Sequence, residues 1–530
     1  MAWSEQFINA LGSTSISVEY RLEFLRIGNS VGRALTIRSQ GNDILKIAQG
    51  SVQISGTRVI PQRWNVSFGQ FSLSVVGDIR RLTERVRRGQ LAQLSCRFPT
   101  QTEFQRLAIG SLNSLSGSRN TFTLEFNDLL TALSNSLDAR AGVAFSTTNP
   151  PHFQLFYKAG LTSTVRTAFT VGDTTLDVVS DAIFQRKTSS RGLIKCHASA
   201  SGTDFFLFFT GSGGNTLTGI SSTVYPAGFP APQNLQVGDT VTALVWLEGA
   251  PFDIFGSIVT STGTGTNGIL DDYPAEWSIG GGVSNSLWDY SDSSKQVRVI
   301  QRSDGGIYEW GYYIESPPTN GVRYLTDLAA GLGQWPVFRM GLLSWRACTD
   351  PTGVQTGIEI VVAAELGDRD IFSIVRHEFY NRDVPTIYRT SRVIYNQSGG
   401  SHYSGSNYDN NQVRSLPAQK RIERNGTSLY LAEQSGSDNR NQAGLMDLAR
   451  MRGWDLFESE KIVLRVNLRF AYLVAGDIIE VTSKYLTGAF DPLGYSFSGR
   501  RLMVCACDFN IDEQNCTLTL AMISRRLFND

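Results

Sequence analysis

The chain has 530 residues, of which 41% are hydrophobic, with 48 basic and 48 acidic side chains. That length holds several domains, and that apolar content is enough to bury real cores. A net charge of zero excludes a global field that would draw the whole chain to nucleic acid or to an anionic membrane.

Glycine is abundant (51) and proline sparse (16). Ala/Leu/Glu/Lys stretches are scarce. The expected fold class is mainly β with a few short helices (α+β), multidomain, and built from small β-barrels or sandwiches. Six cysteines are too few for a disulfide scaffold. The opening stretch "MAWSEQFINALGSTS" lacks a basic segment followed by an apolar one, and no run of about 18 apolar residues occurs. The expectation is a chain with no secretory leader and no membrane span.

Along residues 1–145 the pattern is strand-rich. "GQFSLSVVGD" alternates, with Phe71, Leu73 and Val75 on one face. "TFTLEFNDLL" does the same with Phe122, Leu124 and Phe126, and from Asn127 the spacing of Leu129, Leu130, Leu133 and Leu137 turns helical, with Asp128 in the first turn. Between these runs, "IRRLTERVRRG" crowds Arg80, Arg81, Arg85, Arg87 and Arg88 together. Such a run reads as a solvated or interface face before it reads as a polyanion site. "STTNPPHF" follows as a connector, its Pro-Pro pair blocking helix and central strand.

Residues 159–225 read as a small inserted β-module. It has a Gly-Asp turn in "AFTVGDTTLDVVS" and an almost wholly apolar run, Phe205–Phe209, that is either a buried strand or a greasy edge. Residues 226–415 read as a central α+β domain. There "GIEIVVAAEL" is apolar on both parities, as in a strand buried on both faces, and "GGSHYSGSNYDNNQ" is an exposed polar stretch. Residues 416–530 read as a C-terminal barrel-like domain. Its clearest strand, "KIVLRVNLRF", aligns Ile462, Leu464, Val466, Leu468 and Phe470. In "LMVCACDF", Cys505 and Cys507 are expected to share a face, with Cys516 on the next strand, all as reduced, buried thiols.

Motifs that could carry chemistry fail on context. Gly263, Gly265 and Gly268 stand in the G-x-G-x-x-G spacing, but Pro274 and the glycines at 280–282 leave no room for the helix whose N-terminus would hold a pyrophosphate. Asp289 lies near the acidic position of such a site, in a loop-like stretch rather than at a strand end. "GSGGNTLTG" lacks the Lys-Ser/Thr pair of a P-loop. His377-Glu378 would need a second histidine at 381, where Asn381 stands, and His152, His197 and His402 are scattered. Asp271, Asp272 and Glu276 could hold a cation or act as a carboxylate pair, but acids this close more often make a solvated loop. The expectation is no enzyme, with no catalytic, cofactor or metal residues.

Several segments together resemble the central tail-hub (baseplate hub) proteins of tailed bacteriophages. The order "TTLDV", "GLIKCHA" and "FTGSGGNTLTG" resembles a small β-module of phage tail proteins, with Phe209-Thr210-Gly211 and Leu217-Thr218-Gly219 at its characteristic places. "GAPFDIFGSIVTSTGTGTNGILDDYPAEW" is similar to a stretch of the same proteins, with Pro274 and Trp277 as matching points. "SRVIYNQSGGSHYSGSNYDN" and "AGDIIEVTS" fit the last third. The resemblance implies a structural virion protein assembled in the host cytoplasm. It would be a homo-oligomer, a trimer by analogy, whose N-terminal domain forms a ring closing the distal end of the tail tube. Its implied partners are the tail tube or distal tail protein, the tape-measure protein and the tip and fibre proteins, with DNA passing through the assembled tail. Two other readings stand beside it. One is a distal-tail or receptor-binding protein with carbohydrate-binding modules, for which the nine Trp and eighteen Tyr could stack on sugars. The other is a hydrolase of cell wall or polysaccharide.

Overall fold

The computed structural model describes residues 3–13, 17–25, 33–41, 44–60, 65–67, 69–118, 120–127, 160–184, 191–223, 230–249, 310–315, 334–339, 342–347, 360–379, 387–393, 395–396, 402–409, 423–428, 458–486 and 497–523. The fold is mainly β. Among the described residues the α-helices are Glu5–Leu11 and Ile79–Arg85. The helical stripe expected after Asn127, the Pro-Pro connector and the whole 251–309 segment lie outside them.

Seven strands close into a barrel. Around the circuit they are Glu19–Leu25, Arg33–Arg38, Leu45–Ile47, Gln70–Gly77, Thr121–Asn127, Gln105–Ser118 and Leu91–Arg97, which returns to the first. The two cleanly alternating segments make the closure. Phe71, Leu73 and Val75 sit opposite Phe126, Leu124 and Phe122, so both apolar faces enter one interior. Phe71 and Phe126 stack with ring centroids 4.4 Å apart. Helix Ile79–Arg85 connects two of these strands. Asp78 caps it by accepting from the Arg80 N–H, and Leu82 and Val86 are buried beneath it.

Six further strands form a second curled unit. Their order is Val362–Leu366, Ile478–Ser483, Phe497–Asn510, Asn515–Ile523, Glu458–Val466 and Ile371–Phe379. The two outer strands are consecutive in the chain and joined only by the turn at 367–370. A turn that short keeps their ends within reach of each other, so the sheet must curl back on itself. The strand predicted through Phe470 stops at Val466. Asn467 accepts from the Arg469 N–H and opens a 3-10 turn that still buries Leu468 and Phe470. Val362–Leu366 is an edge strand exposed on alternate residues, with Val361 61% exposed, and not the doubly buried strand expected. Among the described residues it pairs only with Ile478–Ser483. A β-bulge between Val504 and Ala506 corrects the cysteine reading. It reverses parity, sending Cys505 to the side of Met503 and Cys507 into the main core. The polar "HYSGSNYD", expected to be exposed, forms a strand, His402–Asp409, paired with Ile387–Val393.

The third unit centres on residues 160–243. A four-stranded sheet and a three-stranded sheet enclose a core that includes Phe169, Leu176, Phe205, Leu217 and Leu235. The Phe205–Phe209 run is both alternatives at once. It lies at the sheet edge, yet both its faces are covered. Phe205, Leu207 and Phe209 enter this core, while Phe206 meets Tyr313 at 5.2 Å and Phe208 meets Trp246 edge-on at 5.2 Å. The two Thr-Gly pairs interlock across one hairpin. Gly211 pairs with Thr218, and a Cβ on Gly211 would overlap the Thr218 hydroxyl, just as one on Gly219 would overlap that of Thr210. Gly211→Ala is expected to cost about 1–3 kcal/mol by overpacking. Thr218→Ala in the same chain should recover most of it. A double-mutant cycle read by denaturant unfolding checks this, and additive effects would refute the contact.

One turn recurs in three places. In Thr170–Asp173, Gln236–Asp239 and Val474–Asp477 the Asp N–H bonds the first carbonyl. The Asp carboxylate accepts from the first N–H at 2.8, 2.7 and 3.0 Å. The third residue is a glycine at positive φ in each. Three of the "GD" dipeptides of the sequence, at 172, 238 and 476, are this device.

Candidate functional site

The closed barrel and the curled unit, an open second barrel whose outer strands do not pair with each other among the described residues, meet at a seam. The short strand Gln53–Ser55 pairs on one side with Gln70–Ser72 of the first barrel and on the other with Asp508 and Phe509 of the second. Gly56 extends the contact, its N–H donating to the Cys507 carbonyl at 3.0 Å. The result is one continuous 14-stranded sheet over one hydrophobic cluster. Helix Glu5–Leu11 lies across the junction. Ser4 caps it, Phe7 packs on Phe98 of the first barrel, and Trp3 reaches Phe509 of the second. An apolar cleft runs along the seam, lined by Trp3, Gly56, Phe71, Phe338, Leu473 and Cys507 among others. Its walls offer van der Waals contact and little chemistry.

Charge crosses the seam in one direction. Arg58, on the short strand Arg58–Ile60 that follows the seam strand, pairs with Asp508 of the second barrel at 3.2 Å, and the Gly50 N–H, from the loop leaving the first barrel, donates to Asp512 at 2.9 Å. Burial pushes both carboxyls above the usual range, against the pull of Arg58 on Asp508 and of the Gly50 N–H on Asp512. The same polarity holds at larger scale. The described residues among 3–127 carry twelve Arg and Lys against seven Asp and Glu, and those among 360–379, 458–486 and 497–523 carry eight against eleven. The zero net charge of the chain hides this asymmetry, and a charge count by segment would have revealed it.

The module has the opposite acid behaviour. Burial works against the Asp239 carboxylate, but hydrogen bonds from Ser199 and from the Gln236 and Ser199 N–H groups hold its carboxyl low. Burial likewise opposes Asp204, which His197 and Lys195 hold low. A carboxyl depressed in the fold adds stability above its unfolded value of 3.8, and that stability is lost as pH falls through the folded value. A raised carboxyl does the reverse, so Asp508 and Asp512 make the seam stronger on acidification through their window. Acidification below about pH 4 is therefore expected to loosen the module before the seam. Hydrogen exchange, corrected for intrinsic rates, should rise first in peptides covering 191–209 and 235–243. Exchange rising first in peptides covering 50–58 and 505–516 would contradict this.

Several sequence candidates lie outside the described residues: the glycines at 263–268, Asp271, Asp272, Glu276, Pro274, Trp277, Asp289, Asn381 and His152. His377 and Glu378 sit on the strand Ile371–Phe379, not on a helix, and Glu378 is ion-paired to Arg376. His197 pairs across strands with Asp204, its Nδ1 2.7 Å from the carboxylate. Cys505, Cys507 and Cys516 are buried free thiols, with the Cys507 and Cys516 sulfurs 3.9 Å apart and the hydrogen bond with Cys516, then burial, pushing the Cys507 thiol up. The "GSGGNT" segment is a hairpin turn between Gly211–Gly213 and Thr216–Thr218. Among the described residues no three His, Cys, Asp or Glu side chains gather as a metal would need.

No family model and no curated protein matches the chain. Solved structures that align with the chain include the 43 kDa tail protein of prophage MuSo2 from Shewanella oneidensis (11% identity, TM-score 0.38, 96% of this chain and 98% of that one). A tail protein from Neisseria meningitidis MC58 aligns at 10% identity and TM-score 0.37, over 95% and 96% of the two chains. The prophage tail protein gp18 from Listeria monocytogenes EGD-e aligns at 9% identity and TM-score 0.40, over 96% of each. Scores this low leave the functional reading to the residues of this chain.

Proposed function

We propose that this chain is a structural protein of a phage-type tail. In this reading it is a hub that closes the distal end of the tail tube and joins it to tip and fibre proteins. The observation that carries the proposal is the seam. Strand Gln53–Ser55 holds two barrels edge to edge in one sheet, so each copy offers two barrel units as one body. Three copies would then present six barrels to a sixfold tube without six separate chains. The "FTG…LTG" hairpin, which carried the sequence resemblance, also has a physical role of its own, because its Thr-Gly pairs interlock. Phe206, Phe208, Trp246 and Tyr313 are buried or turned against one another, so this set does not favour the sugar-stacking alternative. Antibody labelling of purified tails under the electron microscope tests the proposal. Label at the distal end is expected. Label elsewhere, or a chain that stays monomeric with tube and tip partners present, overturns it.

A further inference from the structure

Helix Ile79–Arg85 breaks a local rule. Beyond the capping Asp78 its first turn holds no acidic residue, and Arg80 and Arg81 stand where the helix dipole favours anions. Arg81 and Arg85 follow four residues apart, a like-charge spacing that weakens a helix. Arg80, Arg81, Arg85 and Arg88 are exposed and make no ion pair among the described residues. Arg87 differs, since it bonds the Thr83 and Val86 carbonyls and closes the helix end. The helix is nonetheless held firmly, with Leu82 and Val86 buried in the barrel. Its arginines are therefore displayed on a rigid base at a cost to the local fold.

The second barrel shows the converse. Its free edge strand, Val362–Leu366, places Glu365 in register beside Glu480. Like charges side by side on neighbouring strands are destabilising. Glu480 has Arg501 3.8 Å away, whereas Glu365 is exposed and makes no ion pair among the described residues. Inside the chain, a cation that follows the seam strand already pairs with an anion of the second barrel, Arg58 with Asp508.

We propose that copies of this chain associate head to tail, the arginine helix of one copy seating on the Glu365–Glu480 edge of the next. This contact rests on the oligomeric reading above and gives it surfaces. It is heterologous, because the two patches differ, so a favourable rotation closes a ring. The partner is a second copy because the complementary charges lie on the same chain. A nucleic acid would satisfy the arginines and leave the carboxylate edge repelled.

The test uses the full-length chain and light scattering after size exclusion, at low and high salt. Wild type should form salt-sensitive oligomers. Arg81→Glu with Arg85→Glu should weaken association at least about tenfold. The fold should survive, since Arg81→Glu puts an acid where the helix dipole favours one, which offsets the loss of the last-turn base at Arg85, and the buried Leu82 and Val86 are untouched. Adding Glu365→Arg to that chain should restore assembly. Oligomers indifferent to these reversals, a wild type that stays monomeric, or assembly only when duplex DNA is added would each overturn the proposal. The tail reading is scored separately. A chain found at the tail tip but indifferent to these charges sinks this contact alone. A chain that assembles through these charges but is absent from tails sinks the tail reading alone.

Discussion

Gly56→Ala is expected to lower stability by about 1–3 kcal/mol and to uncouple the two barrels. A Cβ on Gly56 would stand 2.6 Å from the Cys507 carbonyl oxygen, nearer than real contacts allow. That oxygen belongs to strand Phe497–Asn510, which is fixed by ladders on both sides, so it cannot retreat cheaply. The Gly56 N–H bond to the same oxygen and the adjacent Ser55–Asp508 and Ile54–Phe509 pairs would open together. Calorimetry should show the midpoint fall by about 2–4 °C per kcal/mol for units of this size. One cooperative transition for the barrels should split into two. A wild-type trace, or a uniform shift without splitting, would show that Gly56 does not hold the seam. Gly69→Ala, whose Cβ would lie equally close to the Ser55 carbonyl, should act in the same direction.

Phe126→Ala should cost the first barrel more, about 3–5 kcal/mol. Phe126 is fully buried, stacks on Phe71 across the closing ladder and touches Phe24 on the far wall, with centroids 5.9 Å apart. Its removal leaves a cavity where three walls meet, and close-packed neighbours fill such a void only partly. Phe126→Leu keeps most of the volume and should lose less than half as much. Denaturant midpoints at unchanged slope would measure both. Equal losses for the two substitutions would point to ring stacking rather than filled volume as the source.

How much of this fold is legible depends on the distance over which each feature is decided. Alternation within Gln70–Gly77 and Thr121–Asn127 names the inward residues, because strand period alone decides them. The Gly-Asp turns are legible for the same local reason. The bulge at Cys505 is not, since one extra residue against the partner strand leaves no mark on composition. "GIEIVVAAEL" looks doubly buried because its apolar residues fall on both parities, but its place at an edge is set by pairing with Ile478–Ser483 far along the chain. The polar strand His402–Asp409 owes its state to its partner Ile387–Val393 rather than to its own propensity. At the candidate site, the arginine run was visible as a run. Its conflict with the helix dipole required knowing that the helix begins at Ile79.

The seam also sets a schedule. Arg58 and its partner Asp508 are 450 residues apart in the chain. At ordinary synthesis rates the second partner emerges roughly 20–90 s after the first. Until then strand Gln53–Ser55 has one bare edge, and the shared hydrophobic cluster lacks the residues the second unit contributes to it. Contacts this distant are made slowly, because the long loop must close first. The newborn chain thus stays open to proteases and to mispairing with its siblings until Asp508 and Phe509 emerge. A truncation anywhere upstream of Asp508 would leave it in that state permanently.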